Sequence, residues 1–210
     1  MGPPKSVAPK GWPPAVTYIV APLYSRACSP ELINQLHTPP AQPTPLRPPP
    51  APSPLVRVTQ ISDPSHPAHG QHGLFASRHL APDTFVILYL GLVHTRTDAD
   101  PASDYDLSLD RELGIGVDAT RIGNEARFIN DYRGVGPPGP NAEFRELWVD
   151  LGRGGLEKRM GVFVLSAGKS GKRAKGIAKG DEILVSYGKG FWSERRKEQE
   201  GESESSPATQ

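Results

Sequence analysis

The stretch GNEARFINDYRG, residues 123–134, decides how this chain is read. An ordinary helix needs an apolar stripe that continues beyond Ile129. Here Gly134, Gly136, Pro137 and Pro138 follow instead, and residues of those two kinds end a helix by loosening the backbone or removing its N–H donor. The sequence therefore predicts a segment that stops and bends, with Pro140 and Asn141 resuming the chain downstream.

Outward from this bend, the prolines divide the molecule. Sixteen of the 24 lie between Pro3 and Pro54. A chain of 210 residues suits one domain of roughly 100–200 residues with extensions. The expected organisation is a Pro-rich N-terminal extension over 1–55, partly disordered, a folded domain over 56–192, and a charged, Ser/Glu-rich disordered tail over 193–210. The segment TPPAQPTPLRPPPAPSP (38–54) has too few bulky apolar groups to pack. It reads as an extended polyproline-like linker, with a ligand for a proline-reading domain as the alternative. Trp12, Val16, Tyr18, Ile19, Val20, Leu23 and Tyr24 are more apolar than a tail needs and are expected to strap onto the folded part.

From Val56 onward, short apolar runs separated by Gly, Pro and Asp predict strands near 56–61, 73–76, 84–93, 105–109, 115–118, 142–149, 161–166 and 182–187. TFVILYLGLV is apolar on both alternating faces and should be the most buried of them. The expected class is mainly β with few short helices.

Composition excludes several functions. A formal net charge of +1 gives no global reason to bind nucleic acid or a membrane. Cys28 is the only cysteine, which rules out an internal disulfide framework and a cysteine-rich zinc cluster, and fits a reducing compartment, nucleus or cytoplasm. No run reaches the roughly 18 apolar residues of a membrane span, and the N-terminus lacks the basic-then-apolar order of a secretory signal. A soluble monomer is expected.

Three local patterns carry chemistry less specifically. His66, His69 and His72 are spaced by three, but Pro67 and Gly70 break the helix that would align them, so a polar loop is the expectation and no metal is assigned. AGKSGK (167–172) lacks the upstream glycine of a phosphate-cradling loop, since Phe163 stands at that place. The basic stretch 169–179 reads first as a solvated loop, with nucleic-acid contact as the alternative. Residues 98–118 hold seven Asp or Glu against Arg111, a solvated face or, if it lines a groove, an attractor of basic peptides.

GQHGLFA (70–76), YLG (89–91), VDATRIGNEARFINDYRG with PNAEF (117–134 and 140–144), and KGDEILVSYGKGFW (179–192) stand in an order that resembles the motifs of SET-domain protein lysine methyltransferases. Four weak motifs in sequence make a strong one. The resemblance spans roughly 56–192 and implies a β-clip fold with a C-terminal pseudoknot, in which GNEARFIN is one helical turn ending abruptly. It implies S-adenosyl-L-methionine as cofactor, bound by Gln71, His72, Gly73, Leu74, Tyr105, Arg127, Phe128, Asn130 and Asp131. Tyr187 takes the position of the catalytic tyrosine. Tyr105, Phe128, Phe191 and Trp192 would wall the substrate channel, Glu182 would fasten the knot, and Asp118 and Asn124 would do likewise. The implied partner is a lysine-containing basic protein, a histone tail being the family's commonest class.

The chain departs from the family where Gln71-His72-Gly73 replaces Gly-x-Gly and Asp131 replaces His, and it lacks the cysteines of a zinc-bearing lid. Backbone groups do much of the binding at those places, so Gln71 is tolerable if its backbone needs no positive φ. A SET-like interaction module without turnover is the alternative that these substitutions raise.

Overall fold

The computed structural model describes residues 7–39, 43–49, 51–136, 139–153, 155–169, 171 and 173–188. Phe191, Trp192 and the expected tail 193–210 lie outside the described residues. The elements run β1 (Thr17–Tyr18), β2 (Leu23–Tyr24), α1 (Pro30–Leu36), β3 (Val56–Gln60), β4 (His72–Ala76), β5 (Phe85–Tyr89), β6 (Leu92–Thr95), β7 (Asp106–Asp110), β8 (Ile115–Asp118) and β9 (Ile122–Gly123). A 3₁₀ turn (Glu125–Phe128), β10 (Asn130–Asp131), β11 (Ala142–Gly152), β12 (Gly155–Val164) and β13 (Leu184–Val185) follow. The chain is mainly β, as its punctuation predicts.

The strands form a four-stranded sheet in the order β2-β6-β8-β7, a three-stranded sheet β11-β12-β5, and the pairs β3-β4, β1-β9 and β10-β13. Leu74, Val86, Val93, Ile115, Val162 and Ile183 bring these sheets together around one buried core. The run expected as a single strand over 84–93 is two, β5 and β6, belonging to different sheets. Gly91 explains the break. A Cβ there would stand 2.3 Å from the Asp118 carbonyl oxygen, so only glycine lets the chain cross between sheets at this point.

The β11–β12 hairpin extends well past the expected 142–149 and 161–166. Its outer half is charged, which masks it in sequence, but the charges are paired: Lys158 Nζ reaches Asp110 at 2.8 Å and Glu146 at 2.6 Å, and Arg159 bonds Glu157. The strand expected over 182–187 shrinks to β13, because its neighbours bond irregularly to several segments.

The N-terminal residues join the same body. Thr17 and Tyr18 pair in parallel with Ile122 and Gly123, and Leu23 and Tyr24 with Leu92 and Val93. Trp12 meets the Phe128 ring edge-on at 5.3 Å. α1, absent from the strand-dominated reading, begins at a cap the sequence does spell: Ser29 Oγ accepts from Leu32 N–H and Pro30 occupies the first turn. The polyproline segment is also fastened, Leu46 by a parallel bridge to Val149 and Ser53 by its N–H to Glu125 at 3.0 Å.

Candidate active site

Glu125–Phe128 is the abrupt turn that the opening stretch predicts. Its C-terminal end, Ile129, is extended (φ −76°, ψ 119°), so the chain leaves the turn directly into β10. β10 pairs in parallel with β13, Asn130 against Leu184 and Asp131 against Val185. The loop after β10 then returns to the same segment: Tyr132 N–H donates to the Val185 carbonyl (3.0 Å), and Asn141 N–H to that of Leu184 (3.0 Å). The Asn141 side chain adds two bonds of 2.8 Å, donating to the Glu182 carbonyl and accepting from Leu184 N–H. On another side, Ile183 N–H donates to the Leu74 carbonyl. Residues 182–187 are thus gripped by both ends of the 131–141 loop and by β4, the pseudoknot arrangement.

The knot's side chains are mutually satisfied. Glu182 Oε1 accepts from Asn130 Nδ2 at 2.7 Å and Oε2 lies 2.9 Å from His66 Nε2. His66 Nδ1 accepts from Ala68 N–H, which leaves Nε2 as the donor to Glu182. His66 is therefore a structural member of the knot, and sequence reasoning missed it because its partner is 116 positions away. Among the described residues no cluster of three or more His, Cys, Asp or Glu is arranged to hold a metal ion. A Cβ on Gly73 would stand 2.6 Å from Glu182 Oε1, so this glycine makes room for the carboxylate.

Beside the knot lies a cleft of about 490 Å³ whose lining includes Pro13, His66, Gln71, His72, Asp104, Tyr105, Arg127, Phe128, Asn130, Asp131, Arg133 and Tyr187. Seven of the nine residues expected at the cofactor are brought together here. Gly73 and Leu74 are not in its wall: Leu74 is fully buried and its carbonyl is taken by Ile183. Gln71 needs no left-handed backbone, since Asp83 and Arg153 are the only described non-glycine residues with positive φ. Arg127 donates from Nε to the Ala119 carbonyl (2.8 Å) and lies over the Tyr105 ring at 4.2 Å, so it braces the site's walls.

A narrow cavity of about 60 Å³ adjoins the cleft, sharing Asp104, Tyr105, Arg127 and Tyr187 with it. Tyr89, Asp106, Leu107, Ile129 and Phe144 complete its wall. Of the expected channel residues, Tyr105 lies at this junction and Phe128 only in the cleft. Tyr89, Leu107, Ile129 and Phe144 were not foreseen, being buried or partly buried positions of different elements that meet only in the fold.

Tyr187 is held twice. Its hydroxyl donates to the Ile129 carbonyl at 2.6 Å and its N–H donates to Asp131 Oδ2 at 2.8 Å. Burial, followed by the Tyr105, Asp131, Asp104 and Glu182 charges, pushes the phenol pKa well above its ordinary value, so it stays protonated. Asp131, where the family has His, thus accepts the Tyr187 N–H and also bonds Arg133 through its N–H (2.9 Å) and Nη1 (2.7 Å).

Most of the acidic run is spent on structure. Asp98 accepts from Thr95, Asp106 pairs with His94 at 2.9 Å, Asp110 with Lys158, and Asp118 accepts from Ser103 and Thr120. Only Asp104 and Asp106 of that run border the narrow cavity. Asn124 bridges Leu88 and Leu90 of the β5 end. The described residues of the basic stretch supply no lining to either cavity, and Lys169, Arg173, Lys175 and Lys179 are exposed.

The fold is thus that of a β protein whose late strand is held by both ends of an earlier loop, beside a cleft that adjoins a small cavity. The SET domain family matches residues 71–188, more than half of the chain, and the chain belongs to the SET-domain family. Among solved structures it is similar to the Chaetomium thermophilum polycomb repressive complex 2, with 25% identity and TM-score 0.46 over 65% of this chain and 15% of that one. It is also similar to that complex bound to GSK126, at 24% identity and TM-score 0.46 over 69% of this chain and 17% of the other. A third is the same complex in an autoinhibited conformation bound to S-adenosylmethionine, at 22% identity, TM-score 0.46 and the same coverages of 69% and 17%. The chain spans about a sixth of the length of those chains. No curated protein matches it.

Proposed function

We propose that this chain is an S-adenosylmethionine-dependent protein lysine methyltransferase acting on a lysine of a basic protein, of which a histone tail is the commonest class in the family. The observation that carries the reading is the meeting of the large cleft and the narrow cavity at Tyr187 and Tyr105. That junction suits a reaction in which a bulky donor and a slender amine arrive by separate routes.

The donor set of the cleft fits the cofactor. Phe128 and the His72 imidazole, 5.6 Å apart, offer ring surface to a purine. The cleft's wall carries charges of both signs, the Asp131–Arg133 ion pair and Asp104, which suit a ligand that itself carries a carboxylate, an ammonium and a sulfonium. When bound, S-adenosylmethionine supplies an electrophilic methyl group on a cationic sulfur.

The chain's own residues then align and dry the amine. A lysine with an ordinary pKa near 10.4 is protonated at neutral pH and must release that proton to solvent before its lone pair is free. Tyr89, Leu107, Ile129 and Phe144 disfavour the ammonium form by desolvation, which lowers the amine pKa, while Asp104 and Asp106 on the same wall act in the opposite sense. Tyr187, protonated and fixed by Ile129, orients the reacting nitrogen with its oxygen lone pairs and is too weak an acid to act as a base at neutral pH. Alignment of this kind supplies on the order of 7–11 kcal/mol in favourable cases.

Two measurements test the proposal. Titration calorimetry with S-adenosylhomocysteine should give saturable binding, and its absence at millimolar ligand overturns the reading. Incubation with radiolabelled cofactor and cell lysate should label protein in a manner lost in Tyr187→Phe.

A further inference from the structure

A second cavity, of about 400 Å³, has no residue in common with the cleft. It lies between the N-terminal arm and the core. Val20 and Pro49 come from the arm, and Phe85, Ile87 and Leu90 from β5 and its end. Three polar side chains reach it: Ser53, Asn124 and Glu125.

Two of the three are committed to the protein. Asn124 donates to the Leu88 carbonyl (2.8 Å) and accepts from Leu90 N–H (3.2 Å). Ser53 Oγ donates to the Val86 carbonyl (3.4 Å) and accepts from Leu55 N–H (3.3 Å). Glu125 differs. It is only 3% exposed, and among the described residues its carboxylate receives two neutral donors, Ser53 N–H on Oε1 (3.0 Å) and the Tyr18 hydroxyl on Oε2 (3.3 Å). No Lys, Arg or His among the described residues forms an ion pair with it. A carboxylate has about four acceptor sites, and a buried charge is costly unless paired. The cavity thus presents one negative group with acceptor capacity to spare, set in apolar walls.

We infer that this cavity binds an aliphatic ammonium, its chain against Val20, Phe85, Ile87 and Leu90 and its charged head on Glu125. The ammonium comes either from a small alkylamine or from the lysine side chain of a peptide. Both share the chemistry that the site selects, an apolar stem ending in a compact cation with three donors. Glu125 opens the turn that continues into Arg127 and Phe128, so an occupant also braces the turn from its opposite end. The inference does not rest on methyl transfer.

The test uses the full chain and backbone amide NMR spectra under titration with hexylamine, hexanol and hexanoate, at a pH where the amine is charged. Hexylamine should shift the Ser53, Glu125 and Ile87 amides saturably. It should bind at least about tenfold more tightly than hexanol, the scale of a charge-assisted hydrogen bond. Hexanoate should not bind. In Glu125→Gln, which keeps an acceptor for Ser53 N–H, the preference for amine over alcohol should vanish. A capped lysine tripeptide run in parallel assigns the source: shifts at the same amides point to a lysine side chain, their absence beside hexylamine binding to a small amine. The inference is overturned if hexanol binds wild-type protein as tightly as hexylamine, a comparison that needs no variant. Amine shifts confined to Gln71–Gly73 and Asn130–Asp131 overturn it as well.

Discussion

Tyr187 and Asp131 form a unit at the residue scale. The phenol is aimed by its bond to the Ile129 carbonyl, and the backbone carrying it is pinned by the Asp131 carboxylate. Replacing Tyr187 with Phe removes the aim and leaves that carbonyl without its partner. Methyl transfer should fall by at least about 100-fold. Affinity for S-adenosylhomocysteine, measured by calorimetry, should stay within about twofold. A parallel loss of cofactor affinity would mean that Tyr187 shapes the cleft rather than the reaction. Asp131→Ala removes the acceptor of the Tyr187 and Arg133 N–H groups, which costs about 1–3 kcal/mol and should lower the denaturation midpoint accordingly. Asp131→Asn keeps an acceptor oxygen and should fall between the two in both stability and turnover. If Asp131→Ala melts like wild type, the clamp is not a clamp.

A glycine decides the sheet crossing at the scale of elements. Gly91 allows the chain to pass from one sheet to the other against the Asp118 backbone. Backbone cannot swing aside as a side chain can, so Gly91→Ala should destabilise by about 1–3 kcal/mol or more. In urea that would read as a lower midpoint with an unchanged slope. The same residue marks the limit of what periodicity conveys: the apolar run 84–93 is legible as buried, but its division between sheets depends on a contact 27 positions along the chain. Breaks encoded locally are legible, as the 3₁₀ turn ahead of Gly134 and the Pro30 helix start are. The outer half of β11–β12 is not, because Lys158 and Glu157 look like loop residues until Asp110, Glu146 and Tyr24 arrive to pair with them. Within the site, Tyr187, Asn130 and Asp131 were legible through motif order, whereas His66, Tyr89 and Phe144 converge only through tertiary folding.

Across the whole molecule, tyrosine hydroxyls fasten separate parts of the chain. Tyr18 donates to Glu125 and Tyr24 to Glu157, tying the N-terminal arm to the core, while Tyr89 donates to the Tyr105 carbonyl and Tyr187 to that of Ile129. In all four, burial is the main reason that the pKa lies above its ordinary value, with nearby carboxylates adding to it. The sign of the linkage follows. Below about pH 9 these phenols are neutral in both states and contribute nothing to the pH dependence. Above about pH 10 the unfolded chain releases its tyrosine protons while the folded chain keeps them, so the native state holds the more protons and stability declines as pH rises. The decline owes more to the deeply held Tyr89 and Tyr187 than to the better-solvated Tyr18 and Tyr24. Thermal melts from pH 8 to 11 should therefore stay level near neutrality and drop steeply past pH 10. Tyr89→Phe should melt lower near neutrality, having lost its bond to the Tyr105 carbonyl, yet decline less steeply in alkali. Equal alkaline slopes in the two proteins would mean that Tyr89 ionises freely in the folded state, and that its hydroxyl bond to the Tyr105 carbonyl is not maintained in solution.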